Sequence, residues 1–248
     1  IAAKGFFSEC PAKTVAEALG AVWEAEGAIA RPISPTPPDT TALSAIGLGP
    51  AHIRMPFDRQ LAQEASGHSL REPPLKILQV GAGALGSQIA LTAARGGIGQ
   101  WTIVDPDHLL PHNLARHALS KHEVGMLKAD AIANEINNLL GVNAAVGHGQ
   151  EIQSFCEEST FDPSFDLMVD ASASVPASRW IAAHDKIIAP VVSAFVNPSG
   201  TDLVLLREGA CRTPRLDCLE MDYYWHLVCE PELTHHLKVG EIIMPSGG

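Results

Sequence analysis

From Lys76 onward, short apolar runs alternate with stretches whose apolar residues recur every three or four positions. Lys76–Val80 predicts a strand, Ala84–Arg95 a helix with small residues on one side, and Trp101–Val104 a second strand. Glu123–Leu140 predicts a helix with Leu127, Ile132, Ile136 and Leu139 on its apolar face. A weak strand follows at Ala144–Val146, then a strand at Leu167–Asp170 and a helix around Ser178–His184. Pro190–Val196 and Asp202–Leu206 predict two strands joined by an Asn-Pro-Ser-Gly turn, hence antiparallel neighbours. Strand–helix alternation implies an α/β, Rossmann-like, mostly parallel sheet with helices on both faces and an antiparallel extension. Beyond it, Leu216–Val228 predicts a helix and Glu230–Gly248 a loop or an incomplete element.

Upstream the pattern is weaker. Val15, Leu19, Val22 and Trp23 have helical spacing within residues 11 to 30. Residues 31 to 50 are rich in Pro, Ser and Thr and predict a linker. A short helix and a connector are expected over 57 to 73. The expected organisation is a tail of an upstream region with a Pro-rich linker (1–53), then one nucleotide-fold domain (54–248) cut short at its C-terminus.

Composition changes this picture little. A chain of 248 residues can bury a full domain core. Aromatics are only 5%, so that core rests on Ala, Leu, Ile and Val. The net charge of −11 argues against a nucleic-acid surface, which needs a basic stripe. No apolar run reaches about 18 residues and no secretory segment opens the chain, so no membrane partner and a cytoplasmic location are expected. Five scattered cysteines, an odd number, argue against a disulfide framework and leave a thiol free to react. The chain opens at Ile1 without Met, which predicts a segment of a longer protein, and its final Gly-Gly reads as coincidence.

The chemistry starts where the first strand ends. Gly81, Gly83 and Gly86 form a G-x-G-x-x-G turn between a strand and a helix. Such a turn lets backbone approach a phosphate and aims a helix N-terminus at it. Asp105, at the end of the next strand, sits where a ribose-binding acid belongs. These features alone fit NAD, FAD, an adenylating enzyme or a nucleotide-free relic. The Walker pattern G-x-x-x-x-G-K-[ST] is missing, so cations for a triphosphate must come from elsewhere. Asn113, Arg116 and Lys128 are the candidates: an amide, a bidentate guanidinium and a point charge. An ordinary solvated loop carrying an Arg and a Lys is the alternative.

The run GAGALGS, VDPD, NLARH, VGMLK and LMVDAS resembles the ThiF/MoeB/ubiquitin-activating superfamily over roughly residues 54 to 229. The resemblance implies ATP-dependent adenylation of the C-terminal glycine carboxylate of a ubiquitin-like or sulfur-carrier protein, with thioester transfer in many members. It implies that Gly81, Gly83, Ala84 and Gly86 shape the nucleotide site. Asp105 would hold the ribose and Asp107 would support the same loop. Asn113, Arg116 and Lys128 would contact the triphosphate. Asp170 would hold Mg2+ or orient the attacking carboxylate. Arg59, in Phe57–Leu61, matches a family arginine finger often contributed across a homodimer. Chemically, two anions must meet, so cations aimed at the developing charge are needed.

The sequence departs from the pattern in places. His117 stands where the family has Gln, a version similar to bacterial ThiF-like proteins associated with ubiquitin-conjugating and JAB domains, and a ubiquitin-conjugating-like partner is implied. ASASVPASR follows Asp170 where relatives carry a second Asp-Asn, while Arg179 still fits. Cys218 has Arg215 where a zinc knuckle needs Cys, so no zinc is expected. Cys229 is the candidate thioester nucleophile, a residue beyond Gly248 the competing one, and Cys218 is expected in the core. The rival readings are an NAD(P)- or FAD-dependent oxidoreductase, which leaves Arg116 and Lys128 idle, and an inactive scaffold.

Overall fold

The computed structural model describes residues 2–25, 28–30, 36–54, 56–69, 72–141, 143–233 and 236. The chain forms two compact units, Ile1–Pro56 and Phe57–Gly248.

In the first unit, β1 (Ala2–Phe7) precedes α1 (Ala12–Ala18), β2 (Trp23–Ala25), β3 (Ala28–Ala30), α2 (Thr40–Ser44) and β4 (Gly49–Arg54). β1 and β4 pair antiparallel from Ala2↔Arg54 to Phe7↔Gly49, and β2 pairs with β3. The helix expected over 11 to 30 therefore stops early. Gly20, at φ 68°, takes the left-handed conformation that ends helices, and Trp23 continues as strand. Residues 26–27 of that stretch and 31–35 of the expected linker lie outside the described residues. The remainder of the Pro-rich stretch is not simply a linker. Asp39 accepts from the Thr41 and Ala42 N–H groups at 2.9 and 3.0 Å and caps α2. β4 finds its partner more than forty positions away, where no local pattern could show it.

The second unit runs α3 (Arg59–Ala65), β5 (Lys76–Val80), α4 (Ala84–Arg95), β6 (Gln100–Val104), α5 (Lys128–Leu140), β7 (Ala145–His148), α6 (Ile152–Glu157), β8 (Leu167–Asp170), α7 (Val175–Ala183), β9 (Val191–Val196), β10 (Leu203–Arg207) and α8 (Leu216–Cys229). The strands form one sheet in the order β10-β9-β8-β5-β6-β7, parallel except for β10. This is the expected Rossmann-like α/β sheet with its antiparallel extension. Alternate side chains feed two cores. Ile77, Trp101, Ile103 and Val169 pack with Ala62 of α3, Leu91 of α4 and Ile132 and Ile136 of α5. Leu78, Val80, Val104, Met168 and Val191 pack with Phe155 of α6, Ile181 of α7 and Leu216.

One helix starts late and another was unexpected, each for a local reason. α5 starts at Lys128, five residues after the expected Glu123, because Gly125 sits at φ 93° and Lys121–Glu123 is a separate 3-10 turn. α6 was not foreseen, being shorter than two helical turns. The glycines elsewhere mark close approach. A Cβ on Gly147 of β7 would lie 2.6 Å from backbone atoms of Ala129 and Asp130, so α5 is pressed onto the strand. The last expected stretch, 230 to 248, is described only at 230–233 and 236; the rest, with the Gly-Gly end, lies outside the described residues.

Candidate functional site

β5 is flanked by β6, its successor, and by β8, reached only after the chain has laid down β7 on the far side. The connections diverge there, and in open α/β sheets ligands bind outside the strand ends at such a switch point. A cavity of about 580 Å³ opens at this place, within the range of small-molecule sites. Its lining includes Gly81, Gly83 and Ala84 from the glycine turn, Asp105 and Asp107 from the end of β6, and Arg116 and Lys128. The sequence thus named seven residues that the fold gathers from four separate segments.

The turn is held by a buried frame. Gly81 (φ 90°) donates its N–H to the Val104 carbonyl at 2.9 Å. A Cβ there would lie 2.6 Å from the Ser172 Cα and nitrogen, so the turn and the loop after β8 touch backbone to backbone. Gly86 does not line the cavity; a Cβ on it would overlap the Gly81 carbonyl oxygen. Gln79, fully buried in β5, donates to the carbonyls of Gly81 and Gly86 at 2.9 and 3.0 Å. One amide thereby ties the turn to the first turn of α4. A buried Gln one residue before the strand's end was the signal available for it, and sequence reasoning passed it by.

The acidic strand end has a double task. Asp105 is 7% exposed; its Oδ2 accepts from the Ala82 N–H at 2.6 Å and its Oδ1 from the Asp107 N–H at 2.9 Å. A carboxylate offers about four lone-pair sites, so room remains for a ligand hydroxyl. Asp107 carries its carboxylate in the open and meets the Lys128 Nζ at 2.7 Å, while its carbonyl accepts from the Lys128 N–H at 2.8 Å. Lys128 is thus the first residue of α5 and already paired. Arg116 is different: it is exposed in the cavity lining, and its guanidinium has no hydrogen-bond or ion-pair partner among the described residues. The first residues of α4 and α5 both line the cavity, adding the positive ends of two helices.

The segment between Asp107 and Lys128 is closed at its base. Leu109 and Met126 are joined by an N–H to carbonyl bond of 2.8 Å, Gly125 donates back to Leu109 at 2.8 Å, and His108 bridges Leu127. Within it, Asn113 belongs to the 3-10 turn Pro111–Ala115, and its Oδ1 accepts from the Leu110 N–H at 2.9 Å. Asn113 is not in the cavity lining; it shapes the turn that carries Arg116. His117, 7% exposed, packs its Nε2 2.7 Å from the Ala82 carbonyl.

The remaining candidate residues meet the geometry in different ways. Asp170 is 1% exposed and lies beneath the cavity lining. Its Oδ1 accepts from the Ser172 N–H and hydroxyl at 3.1 and 2.7 Å; its Oδ2 accepts from the Ser178 hydroxyl and, at 3.4 Å, the Ser193 hydroxyl. A carboxylate so enclosed by donors offers no open edge to a metal. Among the described residues no group of three or more His, Cys, Asp or Glu is placed to hold one. Arg59 stands at the opposite end of the sheet, donating to the Gly97 and Gly99 carbonyls at 3.5 and 2.6 Å just before β6 begins. Burial lowers its pKa below the ordinary guanidinium value. It is not part of the cavity in its own chain. Cys218, expected in the core, is exposed, as is Cys229, which ends α8 away from the cavity lining. Cys156 is buried, and burial pushes its thiol up to about 11. The loop after β8, with Ser172, Ala173 and Ser174, supplies a cavity wall that the sequence did not reveal.

The family model described as "ThiF family" matches residues 57–225. The chain belongs to the ThiF family. The match lies within the unit that carries the cavity and starts where it starts. This ThiF-family chain is 30% identical over 146 residues to the ATP-dependent ubiquitin transferase-like protein Cap2 of Vibrio cholerae, covering 55% of the chain and 25% of that protein. It is 45% identical over 114 residues to the protein of the same description from Enterobacter hormaechei, covering 44% and 18%. To the adenylyltransferase and sulfurtransferase uba4 of Aspergillus niger it is 30% identical over 134 residues, covering 53% and 27%. The chain spans about a quarter or less of the length of these relatives. No helix among the described residues is long and apolar enough to cross a membrane.

Proposed function

We propose that the cavity binds ATP and that this unit adenylates the C-terminal glycine carboxylate of a ubiquitin-like or sulfur-carrier protein. The observation that carries the reading is Arg116: a guanidinium without a partner among the described residues, lining a cavity that also holds a glycine turn, two helix N-termini and Lys128. A triphosphate, with more negative charge than the diphosphate of a dinucleotide, gives both cations a group to hold. In the proposed step a carboxylate oxygen attacks the α-phosphorus, and the bond to the bridging oxygen breaks. An acyl-adenylate and pyrophosphate result. Arg116 and Lys128 offset the repulsion between the two anions and the charge on the departing pyrophosphate. Lys128 meets the nucleotide by exchanging or sharing its contact with Asp107. Asp105 accepts from a ribose hydroxyl while keeping the turn in place. Asp170 holds the Ser172 wall; its donor shell does not fit a metal ligand, and no step is assigned to magnesium through it.

The relatives' descriptions, ubiquitin transferase-like and adenylyltransferase, support the carrier class. A thioester step, with a ubiquitin-conjugating-like acceptor after it, would need an exposed thiol, and Cys229 is one of them beside Cys211 and Cys218. A homodimer would let the partner's Arg59 contribute only if its bonds to the Gly97 and Gly99 carbonyls were given up. The test is ATP–pyrophosphate exchange with a panel of glycine-ended carrier proteins, beside Arg116→Ala. Exchange that needs both a carrier and Arg116 is expected. Absence of exchange together with tight NAD binding would overturn the proposal.

A further inference from the structure

His117 joins two parts of the site that the chain keeps apart. Its Nε2 lies 2.7 Å from the carbonyl of Ala82, in the middle of the glycine turn. Its Nδ1 accepts the Leu119 N–H at 3.2 Å. A neutral imidazole has one donor and one acceptor, and here both are used, which fixes the tautomer with the proton on Nε2. Ala82 is thereby gripped from two sides, since its N–H is held by Asp105. A second bond runs in parallel, from the Ala118 N–H to the Ser87 hydroxyl of α4 at 3.1 Å. Residues 116 to 119 are therefore stitched to the glycine turn, and Arg116 is the side chain they present to the cavity.

We propose that His117, in its neutral form, is the positioning residue that ties the glycine turn to the Arg116 turn, and that acid, by breaking its bond to Leu119, loosens the turn that presents Arg116. This rests on the ATP reading above. Protonation places a second N–H on Nδ1, facing the Leu119 N–H, so two buried donors oppose each other and that bond is lost, while the Nε2–H bond to the Ala82 carbonyl is kept and itself favours the charged ring. Burial is the main influence that keeps the ring neutral, lowering its pKa below the ordinary 6.5. Of the charged groups facing it, Lys128 at the start of α5 works in the same direction and Asp105 at the end of β6 against it. The sign follows: a depressed folded-state pKa means the contribution is complete above 6.5 and is lost as pH falls through the folded value.

A simple charge effect predicts the reverse. If His117 acted only as a cation near the phosphates, acid would tighten nucleotide binding. The direction of the pH response thus separates positioning from electrostatics. His117→Gln isolates the ring, because a Gln side chain also has a donor and an acceptor but does not titrate in this range. ATP takes up a proton over the same range, and comparison with the variant removes that contribution.

The experiment is calorimetric titration of ATP into the chain and into H117Q, at about pH 8 and at a pH below the His117 ring pKa as located by NMR titration. The chain is expected to bind roughly tenfold more weakly in acid than H117Q's own change accounts for, the loss of one buried hydrogen bond. Equal pH responses in both proteins, or tighter binding in acid, would overturn the proposal. Failure to bind ATP at the higher pH would sink the nucleotide reading instead, and a second measurement then decides the positioning role alone. In an NMR pH titration without nucleotide, the amides of residues 81–87 and 116–119 should shift together with the His117 ring. Independent titration of the two stretches would refute it.

Discussion

Replacing Asp105 by Asn tests whether one carboxylate both builds the site and serves the ligand. The two oxygens hold different segments: Oδ2 the Ala82 N–H at 2.6 Å and Oδ1 the Asp107 N–H at 2.9 Å. Asn is nearly the same shape but has one acceptor oxygen. That oxygen should stay on Ala82, whose bond is buried, and the amide then faces the Asp107 N–H. One charge-assisted bond is lost and the other becomes neutral. Bonds to charged groups contribute about 1.5–3 kcal/mol and neutral ones about 1 kcal/mol, so the net loss should be about 2–5 kcal/mol. The assay is urea unfolding followed by far-UV circular dichroism, without nucleotide, beside an ATP titration of the folded variant. Both stability and affinity should fall. A loss of affinity with stability changed by less than about 0.5 kcal/mol, the ordinary scatter of surface substitutions, would show that Asp105 only contacts the ligand and that the frame described here is wrong.

Other perturbations separate site from scaffold. Lys128→Ala removes a pair whose Asp107 side chain is 68% exposed, so stability should change by less than about 1 kcal/mol while ATP affinity drops, checked by the same two titrations. Glu208 is the opposite case: its buried carboxylate accepts from Arg212 at 2.7 and 3.0 Å and from the N–H groups of Val191 and Leu216 at 3.0 and 2.7 Å. Glu208→Ala strands a buried guanidinium and should cost about 3–5 kcal/mol in urea unfolding. The Cys156 thiol, raised to about 11 by burial, should resist alkylation at pH 8 while exposed Cys211, Cys218 and Cys229 react, read by mass spectrometry of the labelled chain.

The parallel sheet was legible because each of its strands and long helices carries its own period: KILQV, QWTIV and LMVD are short apolar runs, and α5 places Ile132 and Ile136 on one face. The cavity residues were legible because phosphate chemistry restricts residue type and spacing around Gly81, Asp105, Arg116 and Lys128. What escaped depends on contacts between distant positions. Nothing near Asp170 says that three hydroxyls will converge on it, two of them eight or more residues away. Nothing near Arg59 says that Gly97 and Gly99 will present their carbonyls to it. Asn113 has the right type and spacing for a phosphate ligand, yet its side chain bonds three residues back and builds the turn. The hairpin at Trp23 was masked by apolar spacing that also suits a helix.

The pinned base of the segment between Asp107 and Lys128 bears on how this fold varies. Its neck is fastened by backbone bonds at Leu109, Gly125 and Lys128, none of which depends on a side chain within the segment. The exposed stretch at Ser120–His122 beyond Arg116 can lengthen or shorten without moving Lys128. Each doubling of such a loop adds only about 0.6 kcal/mol of closure entropy. Length there is therefore nearly free, and the stretch can take on new surface chemistry, a docking loop or a grafted epitope, beside a cavity whose geometry is set elsewhere.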